Sequence, residues 1–230
     1  MPLYRTIQQH WYNWNTQYGT NGTDYLSGGA YNDNLYGFDG NDGLWGGAGN
    51  DLLDGGNGWD HLYGGTGTDY LYGRGGVDNL FGESGTDYLY GGEDSDWLVG
   101  GQDRDVLSGG SGSDTFAFAI GESYAQTGSA DQIIDWDAND RIYMHTYHPA
   151  GYAEFTANVS SIEDAQYWAN VYHSAGWLGA NVGNVYVYNE QSGVGYLLAD
   201  LDNNDASGAF ESGVVVYGAT LDEMDASNLL

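Results

Sequence analysis

The sequence predicts an all-β fold: a right-handed parallel solenoid of nonapeptide repeats, with a β-rich cap at its C-terminal end. Three observations carry this. An aspartate recurs every nine residues without a slip, at Asp24, Asp33, Asp42, Asp51, Asp60, Asp69, Asp78, Asp87, Asp96, Asp105 and Asp114. Two residues after each stands an apolar side chain: Leu26, Leu35, Leu44, Leu53, Leu62, Leu71, Leu80, Leu89, Leu98, Leu107 and Phe116. Glycines fill the gaps, as in GGAGNDLLD, GGNGWDHLY and GGTGTDYLY. The unit is G-G-x-G-x-D-x-(Leu/Phe)-x, a period and pattern that mark a parallel β-helix.

Each half of the unit has a physical role. The glycine-rich half reads as a turn, because glycine tolerates positive φ and close backbone approach. The x-Leu-x half reads as a short strand whose middle side chain faces inward and whose neighbours face out. Two nine-residue units close one coil of 18 residues. Odd and even units therefore stack into two parallel sheets that face each other across a leucine core.

Stacking also aligns the aspartates, and like charges held close are costly without a counter-ion. Calcium is the expected cofactor, in several copies. It takes six to eight oxygen ligands in flexible geometry, whereas magnesium demands a tight octahedron and keeps its waters. Zinc and copper favour imidazole or thiolate, and the repeats contain only His61 and no cysteine. The eleven repeat aspartates are the candidate metal ligands, with turn carbonyls of the same coil and of the coil 18 residues on completing the shell. One leucine per nine residues buries too little apolar surface to offset the ordering of a glycine-rich backbone. The segment is accordingly expected to fold on binding metal.

The charge balance narrows the partners. The 230-residue chain carries 33 acidic residues, four arginines (Arg5, Arg74, Arg104, Arg141) and no lysine, for a formal charge of −29. Nucleic acid is excluded on that ground, since phosphate contacts need positive charge. No transmembrane run of apolar residues occurs, and the opening MPLYRTIQQHWYNWNTQYGTN has neither the basic nor the apolar region of a signal peptide. Absence of cysteine rules out a disulfide scaffold. Calcium loops of weak to moderate affinity fill at extracellular calcium and stay empty in the cytosol, so a secreted, extracellular or cell-surface location is expected.

The chain divides into three regions. Residues 1–20 are aromatic and polar and are expected to cap the open end of the solenoid. Residues 21–118 hold the metal-binding array. Within it Phe38, Arg74 and Glu83 replace second-position glycines, and Tyr31, Asp94 and Asp103 replace fourth-position ones. Asp94 and Asp103 are read as tolerating the turn, as aspartate can. Outward positions are rich in rings. Tyr36, Tyr70, Tyr72, Tyr88 and Tyr90 fall on one outer face, and Tyr25, Trp45, Tyr63, Phe81 and Trp97 on the other. Such rings either stack along the sheet or form a surface for sugar rings, a second subunit or the rest of the chain.

Residues 119–230 form the β-rich capping and secretion-signal region. DQIIDWDANDRIYM reads as two short strands around an acidic turn, where Asp131, Asp135, Asp137 and Asp140 are further metal candidates. A short helix is expected to start near Ser161. NVYVYNEQ and GVGYLLADLDNNDASG read as a hairpin with an acidic turn, and ESGVVVYG as a further strand. No catalytic residues emerge, and no enzyme is expected. His145 and His148 lie three apart but lack an H-E-x-x-H context, and no G-x-S-x-G occurs.

GGAGNDLLD, GGNGWDHLY, GGTGTDYLY and GGSGSDTFAF resemble the repeats-in-toxin (hemolysin-type) calcium-binding β-roll family. The segment DTFAFAIGESYAQTGSADQIIDWDANDRIYM is similar to the stretch C-terminal to the roll in those proteins, and GVGYLLADLDNNDASGAFESGVVVYG to their last hairpin. The resemblance implies export by the bacterial type I secretion apparatus through an uncleaved C-terminal signal, with each array aspartate ligating calcium between coils. Members usually carry an enzyme or pore-forming domain ahead of the roll, whereas here 20 residues precede it. Three roles remain open. The chain is an extracellular adhesion or glycan-binding module using its aromatic faces, a self-associating surface-layer or matrix protein, or a secretion and folding module of a larger toxin or hydrolase.

Overall fold

A computed structural model describes residues 14–118, 130–144, 151–156, 182–189, 194–199 and 212–217. Among the described residues eighteen strands make two sheets. The first begins with β1 (Trp14–Tyr18), β3 (Asn32–Asp39), β5 (Leu52–Asn57), β7 (Tyr70–Gly75), β9 (Tyr88–Glu93), β11 (Val106–Ser111) and β13 (Asp131–Ile133). It continues through β18 (Ser212–Tyr217), β17 (Val194–Ala199), β16 (Val182–Asn189) and β15 (Gly151–Thr156). The second holds β2 (Tyr25–Gly29), β4 (Gly43–Ala48), β6 (His61–Thr66), β8 (Asn79–Ser84), β10 (Trp97–Gln102), β12 (Thr115–Phe118) and β14 (Arg141–Met144). Odd and even repeats thus separate into facing parallel sheets, and residues 18 apart are partners, as in Leu53↔Leu71 and Leu62↔Leu80.

The parallel solenoid begins at β1, whose Asn15 pairs with Asp33 and whose Tyr18 pairs with Tyr36. Its core is the inward apolar row from Leu35 to Phe116, fully buried, extended by Ile133, Ile142, Trp136, Leu197, Val214 and Val216. Leu26, in the first even strand, is only partly buried. At the other end the β16–β17–β18 meander is antiparallel within itself, while β18 joins β13 in parallel. The expected hairpin and last strand are present, and the two strands of DQIIDWDANDRIYM enter different sheets.

Strands are longer than the x-Leu-x segment. The six-residue strands of the array run on through the first two positions of the following glycine-rich turn, and the ladder persists there, as in Gly56↔Arg74. The reason is that each turn meets a like turn one coil on, so turn amides also bond between coils: Gly58 N–H to the Gly75 carbonyl at 2.7 Å, Gly67 N–H to the Ser84 carbonyl at 2.9 Å. Second-position residues take positive φ even when they are not glycine, at 77° for Phe38, 86° for Arg74 and 76° for Glu83. Asp94 and Asp103 do the same at the fourth position, with φ of 74° and 76°.

Outside the described residues lie Tyr4, Trp11 and Tyr12, the expected loop after Phe118, the His145/His148 pair, the expected helix near Ser161 and the terminal DEMDASNLL. Leu71 sits mid-array with no exposed surface. Leu71→Ala is expected to cost about 2–5 kcal/mol, read as a lowered denaturant midpoint at saturating calcium.

Candidate metal centre

The repeat aspartates sit at the strand entrances, and the turn before each carries its chain inward. The carboxylates are consequently buried along with the leucines; Asp60, Asp69, Asp78 and Asp87 have no exposed surface. Each carboxylate has two different oxygens. Oδ1 accepts the backbone N–H of the aspartate one coil earlier, with Asp51 N–H to Asp69 Oδ1 at 2.7 Å and Asp60 N–H to Asp78 Oδ1 at 2.8 Å. These bonds form two ladders, one through Asp33, Asp51, Asp69, Asp87 and Asp105, the other through Asp24, Asp42, Asp60, Asp78, Asp96 and Asp114.

Oδ2 is the informative atom. In Asp33, Asp42, Asp51, Asp60, Asp69, Asp78, Asp87, Asp96 and Asp114 it is buried and receives no hydrogen bond. A buried polar atom without a partner costs free energy, and a charged one costs more. The surroundings explain the arrangement. Each Oδ2 lies against the first-position glycine of its own turn, and for Asp33, Asp42, Asp51, Asp69, Asp78, Asp87 and Asp96 a glycine carbonyl from the next coil stands beside it. A Cβ placed on Gly64 would lie 2.6 Å from Asp69 Oδ2 and 2.8 Å from the Gly82 carbonyl oxygen. The same arrangement of carboxylate and carbonyl recurs at Gly46, Gly73, Gly82 and Gly91. Acceptor oxygens thus converge from two coils with no donor between them, in a space that glycine leaves open. A hard divalent cation fits this oxygen set. Among the described residues no three His, Cys, Asp or Glu side chains gather to hold a metal.

The electrostatics agree with a missing counter-charge. Burial raises the carboxyl pKa of Asp42 and Asp51 to about 6, of Asp69, Asp78 and Asp87 to about 7, and of Asp96 to about 8. The backbone N–H on Oδ1 opposes this in each case, and neighbouring carboxylates add to it.

Asp24 differs from those nine. Its Oδ2 accepts both the Thr20 N–H at 2.6 Å and the Thr20 hydroxyl at 2.8 Å, which the spacing alone did not reveal. The ladders also extend further than the repeats. Asp105 N–H donates to Asp131 Oδ1 at 2.8 Å, and Asp114 N–H to Asp140 Oδ1 at 3.0 Å, each across 26 residues instead of 18. The signal was present as D-x-I at Asp131 and again nine residues on at Asp140, but no glycines announce it.

The outward rings occupy the two faces anticipated for them, and they stack on one another. On the second sheet Tyr25, Trp45, Tyr63 and Phe81 form one column, with centroids 6.3, 5.7 and 4.9 Å apart. On the first, Tyr70–Tyr88 and Tyr72–Tyr90 pair at 4.7 and 5.1 Å. Arg74 closes that patch, paired with Asp54 at 2.8 Å and lying over the Tyr72 ring. Trp97 leaves the column and tilts against Tyr143.

The profile of the RTX calcium-binding nonapeptide repeat (4 copies) matches residues 18–53, 54–89 and 90–122. No curated protein matches the chain. Among solved structures, the chain is similar to the AlgE6R2 subunit of the mannuronan C5-epimerase from Azotobacter vinelandii, with 18% identity over 93% of this chain and 90% of that one, at a TM-score of 0.35. The AlgE6R3 subunit of that epimerase shares 22% identity over 94% and 77%, with a TM-score of 0.31. The extracellular lipase LipA from Serratia marcescens shares 15% over 97% and 40%, with a TM-score of 0.32. Repeat domains of this kind are structural and binding elements rather than catalytic ones, and their ion is calcium. Residues 18–122 of this chain are an RTX-type calcium-binding nonapeptide-repeat domain that forms a β-roll, consistent with the repeats-in-toxin family.

Proposed function

We propose that the chain is a secreted protein whose roll folds when calcium fills the spaces between coils, and that the folded roll acts as an extracellular binding module through its aromatic strips. The row of buried Oδ2 atoms without a donor carries the first part. In that reading Asp24, Asp33, Asp42, Asp51, Asp60, Asp69, Asp78, Asp87, Asp96, Asp105 and Asp114 are the ligands, joined by first-position glycine carbonyls one coil on. Bound calcium supplies the positive charge that the ladders lack. Without it each coil stacks an anion on an anion inside a core of one leucine per repeat, and the extended chain is favoured. Extracellular calcium then makes export the folding signal, and the repeat family makes the type I apparatus the proposed route.

The aromatic strips support a binding role of a particular kind. Rings stacked at interplanar angles of 2° and 7° cover one another's faces, so Trp45 and Tyr63 present mainly edges. Tyr25, 64% exposed at the end of its column, keeps an open face. A glycan or a second copy of the chain therefore meets a strip of ring edges and phenol hydroxyls, with a stacking platform at one end.

Calcium titration of the chain is expected to raise β-sheet circular dichroism from near zero, with magnesium ineffective; a fully folded chain in excess chelator would overturn the reading. Gly64→Ala fills one ion space without altering charge, and is expected to remove at least one ion from the count in equilibrium dialysis while a leucine-to-methionine control removes none.

Proton competition has a definite sign. Burial raises the carboxyls of Asp42, Asp51, Asp69, Asp78, Asp87 and Asp96 to about 6 to 8 in the calcium-free fold, against 3.8 for an unperturbed carboxyl. A raised folded-state pKa contributes stability at low pH that is lost as pH rises through the folded value. In chelator, then, β structure is expected to increase as pH falls from 8 toward 5. Over the same range the calcium midpoint moves to higher concentration, and binding releases protons measurable in weak buffer.

A further inference from the structure

The chain has no cysteine and no lysine, so neither a disulfide nor a lysine-derived bridge can fasten one coil to the next. Its outward tyrosines offer another chemistry. A phenol that loses one hydrogen atom becomes a phenoxyl radical. Two such radicals join through carbons ortho to oxygen when their rings meet face to face. The requirement is two phenols held in contact and reachable from solvent. Tyr70 and Tyr88 meet it best. They are register partners in the parallel pair of β7 and β9. Their ring centroids lie 4.7 Å apart, with planes 4° from parallel, and Tyr70 is 39% exposed. Two further tyrosine pairs stack among the described residues, and each is less suited. Tyr18 and Tyr36 are 5.3 Å apart at 14°, and Tyr18 also stacks on Phe38. Tyr72 and Tyr90 are 5.1 Å apart at 7°, but the Arg74 guanidinium lies 4.8 Å from the Tyr72 ring centroid. A cation on a ring face is held by the ring's electrons, so it opposes the removal of one. Tyr72 is also less exposed than Tyr70.

We propose that Tyr70 and Tyr88 are a modification site, at which an extracellular peroxidase and peroxide couple the two phenols into a dityrosine that staples β7 to β9. The peroxide takes one hydrogen atom from each phenol and leaves as two waters. The two radicals pair their electrons in one carbon–carbon bond. Each ortho hydrogen then moves to its phenol oxygen, which restores both rings. The new bond joins partners one coil apart and, as a disulfide does, removes freedom from the extended chain. Part of the roll therefore persists when calcium is withdrawn. That consequence rests on the calcium reading above, whereas the coupling itself rests on the fold alone.

The test uses the full chain, dilute and at saturating calcium, with circular dichroism confirming the fold. It is treated with a heme peroxidase and hydrogen peroxide, and the monomer is isolated. Dityrosine fluorescence gives the yield, and the masses of the proteolytic peptides locate the bond by the loss of two hydrogens. The peptide joining Tyr70 to Tyr88 is expected to be the main product. Tyr70→Phe and Tyr88→Phe keep the stacked rings and remove one phenol, and each is expected to cut the yield by more than half. A main product at another pair, or bonds formed only between molecules, would overturn the proposal. A second measurement places the treated and untreated chains in excess chelator. The treated chain is expected to keep β signal that the untreated chain loses; equal loss in both overturns the stapling role. An untreated chain that stays folded in chelator is a different result, which sinks the calcium reading and leaves the coupled pair to be judged on the peptide masses.

Discussion

The interaction on which the structure depends is a buried carboxylate shared among coils. Asp51 holds the backbone of the coil before it through Oδ1, and its Oδ2 faces the carbonyl of Gly64 in the coil after it. One side chain thus spans three layers, and repetition of that span along two ladders sets the spacing of the solenoid. The leucine row keeps the two sheets together. The carboxylates add a charge dependence, because their burial is unfavourable as anions alone and favourable beside a cation.

Glycine is the second half of the same constraint. At first positions it leaves the volume that the ion needs. At second positions it adopts a left-handed backbone that Phe38, Arg74 and Glu83 share at some cost in strain. Arg74 has a compensation, since its guanidinium bridges Asp54 and covers the Tyr72 ring. Phe38 has only a ring contact with Tyr18 at 6.2 Å among the described residues.

The array was legible because its determinants are local and periodic. A period of nine with aspartate and leucine two apart dictates the stacking, the inward row and the sharing of rings between two faces. Three features were not legible. The strands run on into the glycines because neighbouring turns bond to one another, which no single repeat reveals. Asp24 is satisfied by Thr20, a contact particular to the first turn. Asp131 and Asp140 stood out as acidic-turn candidates, but they rejoin the ladders after a change of spacing and without glycines, so only the three-dimensional register shows that continuation. The ring columns sit between these cases: their faces came from parity, while the depth of their mutual stacking depends on side-chain orientation.

The longer step from Asp105 to Asp131 has a consequence for how such chains change over time. The solenoid counts hydrogen bonds, not residues: eight extra positions enter one coil, and the ladder closes with the same 2.8 Å bond. A segment inserted at that corner leaves every earlier rung in phase. Rolls of this kind can therefore acquire new loops, or whole domains, between coils by a single insertion, and the corner after Phe118 is a natural place to graft a foreign sequence without disturbing the scaffold.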